Sequence, residues 1–189
     1  KKFFLASTCE IFGFQENKLS ENAEYKPHSP YAVSKVANEY LANVYMMLHK
    51  EIKITSLNFF NTYGPTEGLD AVIPNFVNKA ICKENIMIEG DGNQARDFTY
   101  IDDTVNLLIK IIKSNDYYRS INIGSGHKTT VNQIVQILRK HFPNLEVENV
   151  NIRPNEIKYF EADNELIREN FSFNPDVNID EGIKRVIDF

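Results

Sequence analysis

Cysteine is scarce: the 189 residues hold two, Cys9 and Cys82. Two cannot build a disulfide framework, so a reducing, cytoplasmic setting is expected. Long apolar runs are missing as well. The longest, near Leu107–Ile112, is broken by Lys110, and a membrane-crossing helix needs roughly 20 apolar residues. No membrane partner is expected. Nor is there an excess of positive charge. The 21 Lys and Arg against 26 Asp and Glu leave a net charge of -5. Nucleic-acid affinity comes mostly from neutralising phosphates, so nucleic acid is excluded as a partner class. A local basic pocket for a phosphorylated small molecule stays compatible. Repeats, low-complexity tracts and linkers are also lacking. What remains is ordinary for a globular protein, with 42% hydrophobic and 25% charged residues. The length suits one domain, or one with a small second lobe.

Strand and helix patterns alternate along the chain, which predicts an α/β fold. Lys1–Thr8 reads as a buried strand ending in small polar residues, and less well as a signal peptide. A chain that opens inside a strand suggests a fragment with sheet partners upstream. Ser29-Pro30 is an N-cap followed by proline at the first helical position. The helix it opens is expected to reach about His49, with Val33, Val36, Ala37, Tyr40, Leu41, Val44 and Leu48 on its apolar side. A β-branched and aromatic strand follows at Ile52–Phe60, broken at Asn61-Thr62-Tyr63-Gly64-Pro65. Further helices are predicted at Pro74–Lys83, from Asp102 or Asp103 to Ser114, from the capping box Thr130–Gln133 to His141, and near Glu165–Asn170 and Asp180–Ile187. Strands are predicted at Ile86–Glu89, Ser120–Ile123 and Leu145–Ile152.

Tyr31 and Lys35 stand four apart on one helix and so share a face. A phenol beside an ammonium is an acid–base pair, because the positive charge stabilises phenolate. Chance produces many Tyr-x-x-x-Lys spacings, and most are mere helix surface. The neighbouring residues change the weight of this one. Ser29-Pro30-Tyr31-Ala32-Val33-Ser34-Lys35 follows Ser7-Thr8-Cys9-Glu10-Ile11-Phe12-Gly13. Then come Asn58 to Pro65, Val72-Ile73-Pro74, Gly90-Asp91-Gly92 with Arg96-Asp97-Phe98, Asn122 to Gly126, Arg153-Pro154 with Ala162-Asp163, and Asn174-Pro175 with Glu181-Gly182-Ile183.

In that order these motifs resemble the extended short-chain dehydrogenase/reductase family, specifically its NAD-dependent nucleotide-sugar epimerases and dehydratases. The resemblance covers the whole chain. It implies the C-terminal part of a Rossmann-like parallel sheet plus a smaller α/β substrate-binding lobe. Residues 1–61 would end the dinucleotide-binding domain, and 62–189 would be mainly the nucleotide-sugar lobe. It implies Tyr31 as catalytic acid/base, Lys35 as its tuner and a contact of the nicotinamide ribose, and Thr8 as a hydrogen-bond partner of sugar O4. NAD would be the cofactor and a nucleotide-diphosphate sugar the partner. Asn61 and Arg96 would contact the diphosphate, and Arg153 and Glu156 the nucleotide end. For Arg96 the alternative is a surface ion pair with Asp97 or Asp91; for Asn61 it is a turn. A homodimer through the Tyr–Lys helix is implied too, with Tyr40, Val44 and Met47 available for it.

Glu10 tilts the expected reaction. Plain 4-epimerases usually carry a small residue there, whereas dehydratases and decarboxylases often read Thr-x-Glu. A 4-keto sugar has an acidic C5 proton that a carboxylate can remove, so dehydration is slightly favoured over 4-epimerisation. Cys9 sits where some dehydratases have an acidic Asp and others Ser. A thiol makes a poor acid unless tuned. Ala71 stands where many relatives have Asn, so that diphosphate contact is expected to be missing. Arg153-Pro154-Asn155-Glu156 differs from the commoner Arg-x-Gly-Asp. Gly124-Ser125-Gly126 lacks the third glycine of a dinucleotide loop. The glycine-rich loop and its acidic partner are expected upstream of residue 1, which leaves a non-catalytic nucleotide-sugar binding fragment as a further reading.

Overall fold

The computed structural model describes residues 1–152 and 158–189. In chain order its elements begin with β1 (Lys2–Thr8), a 3-10 turn (Cys9–Phe12), α1 (Pro30–Leu48), β2 (Lys53–Phe59), β3 (Asn61–Tyr63), α2 (Val72–Ile81), β4 (Ile86–Glu89) and β5 (Ala95–Tyr100). They continue with α3 (Ile101–Lys113), β6 (Ser120–Ile123), β7 (Lys128–Thr130), α4 (Val131–His141), β8 (Val147–Val150), α5 (Glu165–Phe171) and α6 (Ile179–Ile187).

The first sheet is parallel, in the order β1-β2-β6. Leu57, Ile121 and Ile123 bury one of its faces beneath α3 and α5, against Leu107, Ile111, Ile167 and Phe171. α1 lies on the opposite face, where Glu39 reaches Ser56 of β2. β6 comes from beyond residue 61, so the expected boundary there does not divide the lobes cleanly along the chain. Pairing between β2 and β6 spans more than sixty residues, and no local pattern announces it.

The chain leaves the first sheet through Phe60 and at once enters the second, so Asn61–Tyr63 continues as a strand where a break was expected. β3 pairs with β5 in parallel, and β5 with β7 antiparallel. β4 and β8 form a separate parallel pair. Residues of α2, β4, α4 and α6 close a second core around Tyr63, Phe76, Ile86, Ile134 and Leu138. The capping box opens α4 as predicted, with Thr130 and Gln133 each bonding the other's backbone.

Most of the apolar side of α1 is not core: Tyr40 is 62% and Met47 69% exposed, with Val33, Leu41, Val44 and Leu48 also exposed, while Val36 packs partly against the cluster around Ile11 and Phe12. The residues α1 buries are Ala32, Glu39 and Ala42. β5 was not predicted, because its buried positions include the charged Asp97 and so spoil the apolar alternation. Among the described residues no helix is long and apolar enough to cross a membrane.

Gly182 of α6 marks a tight contact. A Cβ there would come within 1.9 Å of the Tyr63 hydroxyl. Tyr63 cannot easily yield, since its ring is held edge-on by Phe98 and Tyr100. Gly182→Ala is expected to lower stability by about 1–3 kcal/mol, as overpacking does, read from the urea unfolding midpoint.

Candidate active site

The site is assembled at the C-terminal ends of β1 and β2, where parallel sheets gather their ligands. Thr8 ends β1 and caps the 3-10 turn: its Oγ1 accepts from the Glu10 amide at 3.3 Å. The turn closes at Gly13, whose φ of 59° and close packing exclude a side chain. A Cβ there would meet the Lys26 carbonyl at 2.0 Å and the His28 ring at 2.5 Å. This approach, secured by the Lys26 amide donating to the Ile11 carbonyl at 2.9 Å, returns the chain to Ser29.

Ser29 joins the two halves of the site. Its Oγ accepts from the Ala32 amide at 3.0 Å, capping α1, and donates to Glu10 Oε2 at 3.0 Å. The Glu10 carboxylate therefore lies beside the N-terminus of α1. Within α1, Lys35 Nζ sits 5.5 Å from the centre of the Tyr31 ring and donates to the Ala6 carbonyl at 2.8 Å. The ammonium is thus tied to the strand that ends in Thr8. Tyr31 is half exposed. Thr8, Glu10, Tyr31 and Lys35 come together through these contacts. Sequence reading missed Ser29 as the link, although its N-cap role was visible.

Cys9 is a different matter. Burial, then the nearby Glu10 charge, pushes its thiol up to about 12. It keeps its proton at neutral pH, which removes it as an acid or a nucleophile.

Asn61 and Arg96 lie on neighbouring strands. Asn61 is the register partner of Phe98, two residues beyond Arg96. Asn61 is exposed. The Arg96 guanidinium donates to the Ala95 carbonyl at 3.0 Å and stacks 5.5 Å from the centre of the Phe160 ring. Asp97 is no surface partner for it. That carboxylate is fully buried on the other side of β5, accepting from the Ser125 amide (2.8 Å), Ser125 Oγ (2.5 Å), the Gly126 amide (2.8 Å) and the Ala162 amide (3.1 Å). The Ser125 and Gly126 amides of the Gly124-Ser125-Gly126 loop are therefore committed within the protein and not free to cradle a phosphate. Arg153 and Glu156 lie outside the described residues.

The loop after β3 holds another perturbed carboxylate. Burial, then the Asp70 charge, pushes Glu67 up to about 7. Its folded value stands above that of the unfolded chain, so ionisation costs stability at and above neutral pH. That cost is relieved as pH falls through about 7 towards the ordinary carboxylate range. Glu67 is only partly shielded from solvent, so a gain of no more than about 1 kcal/mol is expected. Glu67→Gln should flatten the pH dependence of the urea midpoint across that window.

Residues 1–186 match the family described as GDP-mannose 4,6 dehydratase. A UDP-glucuronate 4-epimerase from Thermodesulfobacterium geofontis is 34% identical over 192 residues, covering 100% of this chain and 59% of that protein. An NAD-dependent NDP-hexosamine 5,6-dehydratase involved in tunicamycin biosynthesis superposes with a TM-score of 0.93 at 34% identity, covering 99% of this chain and 62% of that one. A UDP-glucuronic acid 4-epimerase from Bacillus cereus, solved with UDP-glucuronic acid and NAD, has a TM-score of 0.93 at 28% identity, covering 100% and 60%. The chain thus spans about three fifths of the relatives it matches. Sequence, strand order and backbone agree: this chain belongs to the NAD-dependent nucleotide-sugar epimerase/dehydratase family of extended short-chain dehydrogenases.

Proposed function

We propose that the protein is a nucleotide-sugar enzyme that works by transient oxidation at sugar C4, with dehydration as the favoured outcome. The observation that carries this reading is the Lys35 ammonium, held on the Ala6 carbonyl and 5.5 Å from the Tyr31 ring, at the strand end that bears Thr8 and Glu10. NAD, when bound, supplies the acceptor for the C4 hydride. An exposed phenol beside a fixed ammonium fits its nicotinamide-ribose end. The sealed Gly124-Ser125-Gly126 loop does not fit its pyrophosphate.

Tyr31 takes the O4 proton as general base, and Lys35 stabilises the phenolate. Thr8 holds O4 through its hydroxyl. Once C4 is a ketone, the C5 proton is acidic and Glu10 removes it. With Cys9 holding its proton, Glu10 returns that proton to the C6 hydroxyl, which leaves as water while the C5–C6 double bond forms. Return of the C4 hydride to C6 and of a proton to C5 would leave the cofactor unchanged, so the net change is loss of one water. Asn61 and Arg96 bind the diphosphate, where the forked guanidinium suits paired oxygens. Arg153 and Glu156 hold the nucleotide end. The exposed Tyr40, Val44 and Met47 of α1 support a homodimer through that helix.

A second reading, UDP-hexose 4-epimerisation, is favoured by one contact: Ser29 already engages Glu10 Oε2. In that case Glu10 only steadies the start of α1. The experiment is a panel of sugar nucleotides read by mass, for the protein and for Glu10→Gln. Loss of one water that disappears in Glu10→Gln supports dehydration. Unchanged mass with altered retention, insensitive to Glu10→Gln, supports the epimerase. Binding without conversion, with no dinucleotide released on denaturation, supports a binding module.

A further inference from the structure

The face of the first sheet beneath α1 is polar. The register pairs Ser7 with Asn58, Ser56 with Ser120 and Asn58 with Asn122, so these side chains share one face. Above them Glu39 of α1 is buried, with Ser56 Oγ donating to its Oε2 at 2.5 Å. Three buried atoms in this seam have no partner among the described residues: Ser7 Oγ, Asn58 Oδ1 and Glu39 Oε1. Their residues are 4%, 0% and 6% exposed. A core seldom leaves such groups unpaired, because they have lost water and gained nothing in return.

The orientation of the amides is fixed by chemistry. Asn122 Nδ2 donates to the Leu19 carbonyl at 2.8 Å, so Asn122 Oδ1 must be the acceptor. Asn58 must then present Nδ2 to Asn122 Oδ1 (3.0 Å) and to Ser120 Oγ (2.9 Å), both on β6. Its Oδ1 consequently faces the other way, towards Ser7 on β1. Ser7 and Asn58 are register partners, yet their polar atoms do not bond directly. Asn58 Oδ1 and the Glu39 carboxylate oxygen can only accept. Ser7 can give one proton. Two acceptors and one hydroxyl match a single water, which donates twice and accepts once.

We propose that an internal water occupies this seam, bonded to Ser7 Oγ, Asn58 Oδ1 and Glu39 Oε1. Three bonds are the usual complement of a buried water. Ser7 adjoins Thr8, and Glu39 lies one turn beyond Lys35. The water therefore stitches the strand end carrying Thr8 to the helix carrying Tyr31 and Lys35.

Water–protein NOE spectra test the site. Contacts from water to the Hβ protons of Ser7 and Asn58 are expected, with the sign of a long-lived internal molecule. Ser7→Ala removes the hydroxyl that could relay such signals by exchange. The contact to Asn58 should persist in that variant, joined by one to the methyl at position 7. Asn58→Leu removes an acceptor and fills the space with apolar atoms. It should abolish the contacts and lower the water-oxygen relaxation-dispersion amplitude by one molecule. Missing contacts in the wild type, their loss in Ser7→Ala, or an unchanged amplitude in Asn58→Leu would overturn the proposal.

Discussion

Tyr31→Phe is expected to cut turnover by roughly a hundred- to ten-thousand-fold, the usual worth of a general acid–base group. That corresponds to about 3–5 kcal/mol of barrier. The change deletes one hydroxyl from a half-exposed side chain. The ring stays to pack against Lys35, and the cap on α1 is untouched, because Ser29 and Ala32 make it. The variant should therefore unfold at the same temperature as the wild type and bind sugar nucleotide with similar affinity. Calorimetric titration beside a turnover assay separates these effects. Surviving activity in Tyr31→Phe sinks the mechanism. Lost binding would assign the hydroxyl to substrate capture instead of proton transfer.

The largest stability effect is expected at Asp97. Its carboxylate gathers three amides and a hydroxyl from two segments remote in sequence, the Ser125-Gly126 loop and Ala162. Burial pushes the carboxyl up while these four donors pull it back down. Asp97→Ala strands the donors in a dry interior, and a loss of about 3–5 kcal/mol follows. That is a large part of the roughly 5–15 kcal/mol that holds a domain together. Asp97→Asn keeps one acceptor but turns an amide N–H towards groups that also donate, so it should recover only part. Urea unfolding of both variants decides the matter. A loss below about 1 kcal/mol in Asp97→Ala would mean that the loop finds other acceptors.

These two residues differ in how far they can be read from the sequence. Tyr31 and Lys35 are four apart on one helix, and Ser29-Pro30 marks where that helix starts. Every relation needed is local, so the pair is legible before any fold is known. Thr8 and Glu10 follow the same logic, two apart beyond a strand end. The Ser29–Glu10 hydrogen bond spans nineteen residues and depends on the tight return at Gly13. Asp97 invited reading as a surface partner for Arg96. In the fold it is an interior knot, because strand alternation sends adjacent residues to opposite faces.

The linear order of residues thus determined the helix and strand succession of most of the chain, the family, and the placing of Tyr31 and Lys35 on one helix face. Short-range physics suffices for these: caps, periodicity and spacing act within a turn or two. Tertiary structure alone decided that β6 joins β1 and β2, that the apolar stripe of α1 faces outward, and that Asp97 locks a glycine loop shut. Those outcomes turn on which distant surfaces bury each other, and that competition is settled only when the whole chain folds.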